Sequence, residues 1–234
     1  MSELAERIAT RGEFAGACEH YERAVEVLTQ VGSAEDVIRR RARQAQLYWL
    51  AGDRDASAAA LAEAQRLAGQ VTWPGALAEL AFVRAELARW AGDRAEAYRQ
   101  VEAGTALLGD EAHWPNIRAS IHDLLGYLAD DPAGSRAQRV TAYRAAVEAG
   151  HPTLIARVLV GVADLALRDG DDLGAARMLG AAGGVRGLPD RSHPDAARIE
   201  ETARHRLGDG GFAEAEREGA AADWNELAEV TLAG

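Results

Sequence analysis

Small, large and small residues recur along the chain in that order and at one spacing. The sets are Ala17, Tyr21 and Ala24; Ser57, Leu61 and Ala64; Ala97, Val101 and Gly104; and Ala175, Leu179 and Ala182. Each set falls at i, i+4 and i+7, which places its members on one stripe of an α-helix. Shortly before each set stands a glycine, in Arg11-Gly12-Glu13-Phe14, Ala51-Gly52-Asp53-Arg54, Ala91-Gly92-Asp93-Arg94 and Asp169-Gly170-Asp171-Asp172. A helical pattern of about 14 residues precedes each complete turn, so the pattern predicts helix, tight turn and helix, repeated. Gly12, Gly52 and Gly92 recur with a period of about 40 residues, and Gly170 follows Gly92 by close to two such periods. A period in this range signals stacked helical hairpins. Small residues at the outer positions let neighbouring helices approach, and the large one fills the space between them.

The repeats are expected at about 1–32, 33–72, 73–112, 113–150 and 151–187, with an atypical cap over 188–234, all in one domain. Residues 4–11 read as the second half of a shortened first helix, which suggests that Met1 marks a fragment boundary. In the turns, glycine is expected to take the left-handed conformation, and Asp93 to cap the next helix with Glu96 completing a capping box. The fourth repeat is irregular. Its first helix is expected over 114–129, and its turn Asp130-Asp131-Pro132-Ala133-Gly134 is longer. Tyr143 and Ala146 then follow Gly134 at the offsets by which Leu61 and Ala64 follow Gly52. Gly180, Gly183, Gly184 and Gly187 are expected to loosen a helix end. Three short helices should then follow near 195–207, 212–221 and 224–232, covering the last apolar face.

Composition agrees with an all-α chain: 48% of residues are hydrophobic, only 6% are aromatic, and there are just 6 prolines in 234 residues. All 26 basic residues are arginine, which with the alanine content suggests a GC-rich bacterial genome. A net charge of −11 argues against general nucleic-acid binding, which needs a basic stripe to displace condensed counterions. The single Cys18 excludes an internal disulfide, and the acidic start lacks the apolar stretch of a signal peptide. With no run long enough to span a bilayer, a cytoplasmic location and no membrane association are expected.

The offsets resemble the tetratricopeptide repeat, which has a small residue in the first helix, glycine before the turn, and small, large and small residues in the second. Ala45 with Gly52, Ser57, Leu61 and Ala64 fits that pattern; so do Ala85 with Gly92, Ala97, Val101 and Gly104, and Ala163 with Gly170, Ala175, Leu179 and Ala182. The spacing is longer than the period usual for that family, and the tryptophan usual early in each first helix is missing. The resemblance implies a right-handed superhelix of helical hairpins. The stretches LGAARMLGAA at 173–182 and LGDGGFAEAEREG at 207–219 resemble the C-terminal end of the large ATP-dependent bacterial transcriptional regulators, of the antibiotic-regulatory-protein and MalT-like types. Gly183 and Gly184 replace helix formers of that pattern, and Glu216 stands where tryptophan is usual. That resemblance implies a sensor array restraining a nucleotide-binding switch domain. The alternative is a free-standing scaffold that holds a peptide or partner protein in its groove.

No catalytic, metal or cofactor site is expected. A phosphate loop of the GxxxxGK[ST] type requires lysine, and the glycines at 180–187 follow a helix where a dinucleotide loop must follow a strand. Asp169-Gly170-Asp171-Asp172 begins like a calcium loop, but Leu173 and Gly180 occupy ligand positions. Cys18 and His20 diverge on their helix, and neither Ser120-Ile121-His122-Asp123 nor Ser192-His193-Pro194-Asp195 has the pattern that activates serine. Function is therefore expected on the concave face. In the tetratricopeptide arrangement, register from each turn points there Arg39, Arg43, Gln46 and Trp49 from the second repeat, and Glu79, Phe82, Glu86, Arg89 and Trp90 from the third. The fourth adds Ser120, Asp123 and Tyr127, and the fifth adds Arg157, Asp164 and Arg168. Arginine and aromatic residues anchor interfaces, although the same aromatics could pack between helices.

Overall fold

A computed structural model describes residues 2–234, and among these the chain is all-α. The helices are α1 (Ser2–Thr10), α2 (Phe14–Gln30), α3 (Ala34–Leu50), α4 (Arg54–Ala68), α5 (Pro74–Trp90), α6 (Arg94–Leu108), α7 (Pro115–Leu128), α8 (Pro132–Ala149), α9 (Pro152–Arg168), α10 (Asp172–Arg186), α11 (Pro194–Ala221) and α12 (Trp224–Ala233). One 3-10 turn, Gly109–His113, follows α6.

Two local signals set the helix boundaries. Gly12, Gly52, Gly92 and Gly170 all have φ of +83° or +84°, the left-handed region that closes a helix. Just beyond the turn, an aspartate accepts a hydrogen bond from the backbone N–H three residues on: Asp53 from Ala56 (2.9 Å), Asp93 from Glu96 (3.0 Å), Asp131 from Gly134 (2.7 Å) and Asp171 from Gly174 (2.8 Å). The second half of the expected capping box does not form, because the Glu96 carboxylate turns to Arg84, Arg99 and Gln100. At the other boundary, Trp73-Pro74, Trp114-Pro115, His151-Pro152 and His193-Pro194 each put an extended aromatic or imidazole residue at the N-cap and proline at the first helical position. Nothing lies within 4 Å of a Cβ built on Gly92, so Gly92→Ala isolates the backbone term. It should cost about 1–2 kcal/mol in urea unfolding.

The chain forms two compact units, Met1–Ala112 and His113–Gly234. In the first, α1/α2, α3/α4 and α5/α6 pack as pairs, and α3 also packs on α5. Ala5, Ala17, Tyr21 and Leu47 make one apolar cluster; Ile38, Ala45, Ala64, Leu80 and Leu87 make another. In the second unit, α7/α8 and α9/α10 pair, α11 packs on α9 and α10, and α12 touches α8, α9 and α10. One cluster, including Val158, Leu165, Met178, Ile199 and Phe212, fills its centre.

Two features of the second unit correct the expectations. The glycines of α10 do not loosen it, since the helix runs unbroken to Arg186 and ends at Gly187 with φ +87°. They let α10 and α11 approach backbone to backbone: a Cβ on Gly180 would lie 2.0 Å from the Glu216 carbonyl oxygen, and one on Gly219 would lie 1.8 Å from that of Arg177. Gly134 is not the turn glycine of the fourth hairpin, because it sits inside α8, beyond the capping Asp131. Counting from the capping aspartate, the equivalents of Ser57, Leu61 and Ala64 are Ser135, Arg139 and Ala142, not Tyr143 and Ala146. Hydrogen bonding supports that register, as Ser57 Oγ donates to the Ala45 carbonyl (2.7 Å) and Ser135 Oγ to that of Gly126 (2.9 Å).

Candidate functional site

In the first unit, side chains at related positions of successive first helices meet in pairs. Arg43 of α3 donates to both carboxylate oxygens of Glu6 on α1, at 2.9 and 3.0 Å. Arg39 lies 2.8 Å from Glu79 of α5 and stacks over Trp73, 4.4 Å from the ring centroid. Gln46 donates to Glu86. Burial pushes the Glu79 carboxyl above its usual range, against the pull of Arg39. The aromatics stand closer to the core: Trp49 is half-buried under Arg54, Trp90 packs on the Ile38 cluster, and Phe82 fills the space above Gly104. Arg89 is half-buried in the last turn of α5. Close by, Arg41 joins Glu22 of α2 to Glu63 of α4 (2.7 Å), and the buried Gln44 donates to the Cys18 carbonyl (3.1 Å). Burial lifts the Cys18 thiol to about 11, which keeps it an unreactive thiol at neutral pH.

The candidate residues of the second unit gather round a side chain that the sequence reading did not single out. Arg139, on α8, is 0% exposed and occupies the place that Leu61 takes in the second repeat. Its guanidinium donates to the backbone carbonyl of Asp123 (2.8 Å) and to that residue's carboxylate, and lies 3.8 Å from the Tyr127 ring centroid. Arg157 of α9 reaches the same carboxylate at 3.4 Å. Asp164, also 0% exposed, stands 3.8 Å from Arg139, 2.8 Å from Arg168, and within hydrogen-bonding distance of Arg198 on α11. Arg198 also meets Asp195 at 3.3 Å. The fold makes room for the buried guanidinium with two helix-interior glycines. A Cβ on Gly126 would lie 2.7 Å from Arg139, and one on Gly161 only 2.1 Å.

Asp123, Tyr127 and Asp164 are therefore interior, while Arg157 and Arg168 reach them from the edge. Burial raises the Tyr127 phenol well above its ordinary value. His193, whose ring centroid is 6.4 Å from that of Tyr127, is held below the ordinary imidazole value by burial, against the pull of Asp195. Its contribution to stability is thus fully present above the unfolded imidazole value of about 6.5 and is lost as pH falls from there through the lowered folded value. His193→Gln should accordingly make stability fall less steeply than in the wild type between about pH 7 and 5, measured by urea unfolding at each pH.

The charges are committed to one another, and the nucleophile-type residues point elsewhere. Ser120 donates to the Asn116 carbonyl (3.1 Å), Ser192 donates to Asp190 (2.7 Å), and Asp123 is held by Arg139. In the calcium-like stretch, Asp169 pairs with Arg136, Asp172 with Arg206, and Asp171 caps α10. What these groups do together is fix helices: the first unit's pairs tie α1, α3 and α5, and the Arg139 cluster ties α7, α8, α9 and α11. Among the described residues, no helix is long and apolar enough to cross a membrane. Comparison with protein-family models, curated proteins and solved structures finds no match to the chain.

Proposed function

We propose that the chain is a tetratricopeptide-like superhelical repeat domain that recognises a protein or peptide without catalysis and serves as the cytoplasmic sensor-regulatory part of a bacterial transcriptional regulator. The observation that carries this reading is the face shared by α1, α3 and α5. There Glu6 pairs with Arg43, the buried Gln46 with Glu86, and Arg39 with Glu79, alongside half-buried Trp49 and Trp90. Such a surface offers arginine and aromatic anchors held in place by neighbouring pairs, which lowers the ordering cost of binding. The C-terminal sequence pattern supports the regulator context, in which the partner is a nucleotide-binding switch domain of the same regulator.

The test is recovery of partners cross-linked to the tagged chain in its own cells. Expressed as a separate polypeptide, the chain should retain the regulator's nucleotide-binding domain, and Arg89→Ala with Trp90→Ala should lose it while keeping a cooperative melting transition. Equal retention by both would sink the groove assignment. Retention of a protein without a nucleotide-binding domain would turn the reading to a scaffold.

A further inference from the structure

The second unit contains a half-open cleft of about 530 Å³ between α9, α10, α11 and the loop 187–193. Small-molecule sites run from roughly 300 to 1,000 Å³, with apolar walls and a few convergent polar groups. This cleft falls in that volume range, and its lining divides about evenly between apolar and ionisable residues. Val160, Leu179, Ala182 and Ala196 form the apolar wall, and Arg191 and His193 stand on the loop beside them.

Those two polar groups lack protein partners for their chemistry. Arg191 is exposed and paired with no carboxylate among the described residues. His193 Nδ1 is buried without a hydrogen-bond partner, its nearest carboxylate oxygen being 3.9 Å away on Asp195. The carboxylates in the cleft are better provided for: Asp190 pairs with Arg186 at 2.6 Å and Glu200 with Arg204 at 2.8 Å. Burial, reinforced by Glu200, raises the Glu216 carboxyl towards its neutral form. Arg157, at the cleft wall, belongs to the cluster in which Arg139, Arg157, Arg168 and Arg198 face Asp123, Asp164 and Asp195, a surplus of positive charge in a chain of net charge −11. The loop is set in advance, because the Asp190 carboxylate that pairs with Arg186 also accepts from the Ser192 N–H (2.9 Å) and hydroxyl (2.7 Å).

We propose that this cleft binds a small organic anion, a carboxylate on an apolar body. The body lies on Val160, Leu179 and Ala182, and the carboxylate accepts from the Arg191 guanidinium on the loop beside His193. The site is in the second unit and does not depend on the partner face of the first.

Titration calorimetry with octanoate, and with octylammonium as the same chain carrying the opposite charge, tests it. Octanoate should bind at least about tenfold tighter than octylammonium, since a charge-assisted pair is worth about that factor. Arg191→Gln should weaken octanoate about tenfold. Ala197→Trp, which places an indole at an exposed lining position, should abolish binding with the melting transition retained. No octanoate binding, equal binding of octylammonium, or undiminished binding by the folded Ala197→Trp protein would each overturn the proposal. Any of these results leaves partner retention through Arg89 and Trp90 as it was, so the two readings fail separately.

Discussion

Gly219→Ala should destabilise the second unit by about 3 kcal/mol or more, which is large for the addition of one methyl group. Helix propensity alone predicts the reverse, because alanine in a helix interior is favoured over glycine by about 1 kcal/mol. Packing decides the sign. The new Cβ would sit 1.8 Å from the carbonyl oxygen of Arg177, a backbone atom that no rotamer change can move aside. Gly180→Ala should behave alike, since its Cβ meets the Glu216 carbonyl at 2.0 Å, so relief requires α10 and α11 to separate. Gly210→Ala is the control: no atom lies within 4 Å of its Cβ, and it should be neutral or stabilise by up to about 1 kcal/mol. Urea midpoints of the three variants measure the difference. If all three fell within about 1 kcal/mol of the wild type, the close approach of α10 and α11 would be wrong.

Arg139→Met should cost about 3–5 kcal/mol, because it leaves Asp123 and Asp164 buried without their central cation. The apolar replacement fills much of the same volume, so the loss reports charge and hydrogen bonding more than a cavity. The cost need not mean that the cluster is a net stabiliser. Desolvating three charged groups is expensive, and replacing all of them with apolar residues can come out neutral. The cluster's value is positional: a guanidinium passing between Gly126 and Gly161 fixes how α7 and α9 flank α8.

Much of this architecture was legible in the sequence because it rests on local chemistry. A left-handed glycine followed by a capping aspartate signals a turn wherever the surrounding chain goes, and the two signals at Gly52 and Gly92 are matched in the backbone. In the cap, the two helices expected near 195–207 and 212–221 form one run, α11, kinked at Gly208 with φ +74°. The break returns Glu216 to the cleft that Glu200 and Arg204 line. Misreadings arose where glycine has a different use. Gly134 resembles a turn glycine in sequence but lies within α8, and anchoring the register there moved the count by one helical turn, passing over Arg139. Gly180 and Gly219 are packing glycines, and their role depends on a partner helix that local sequence does not reveal. The aromatic-proline starts at Trp73 and His151 were a readable signal for helix beginnings that the turn-based register did not use, whereas those at Trp114 and His193 did mark expected helix starts. The concave-face set divided by burial. Arg39, Arg43, Glu79 and Glu86 kept some exposure, whereas Asp123 and Asp164 went to the interior because Arg139 offered them a charge there.

A double-mutant cycle between Arg139 and Asp123 tests that buried arrangement most directly. Arg139→Met, Asp123→Leu and the double variant, compared by urea unfolding, should show a favourable coupling of about 2 kcal/mol or more, with the double variant losing much less than the two single losses added together. Strictly additive losses, with coupling below about 0.5 kcal/mol, would mean that the two charges do not meet in the interior and that the fourth hairpin is not registered on Asp131.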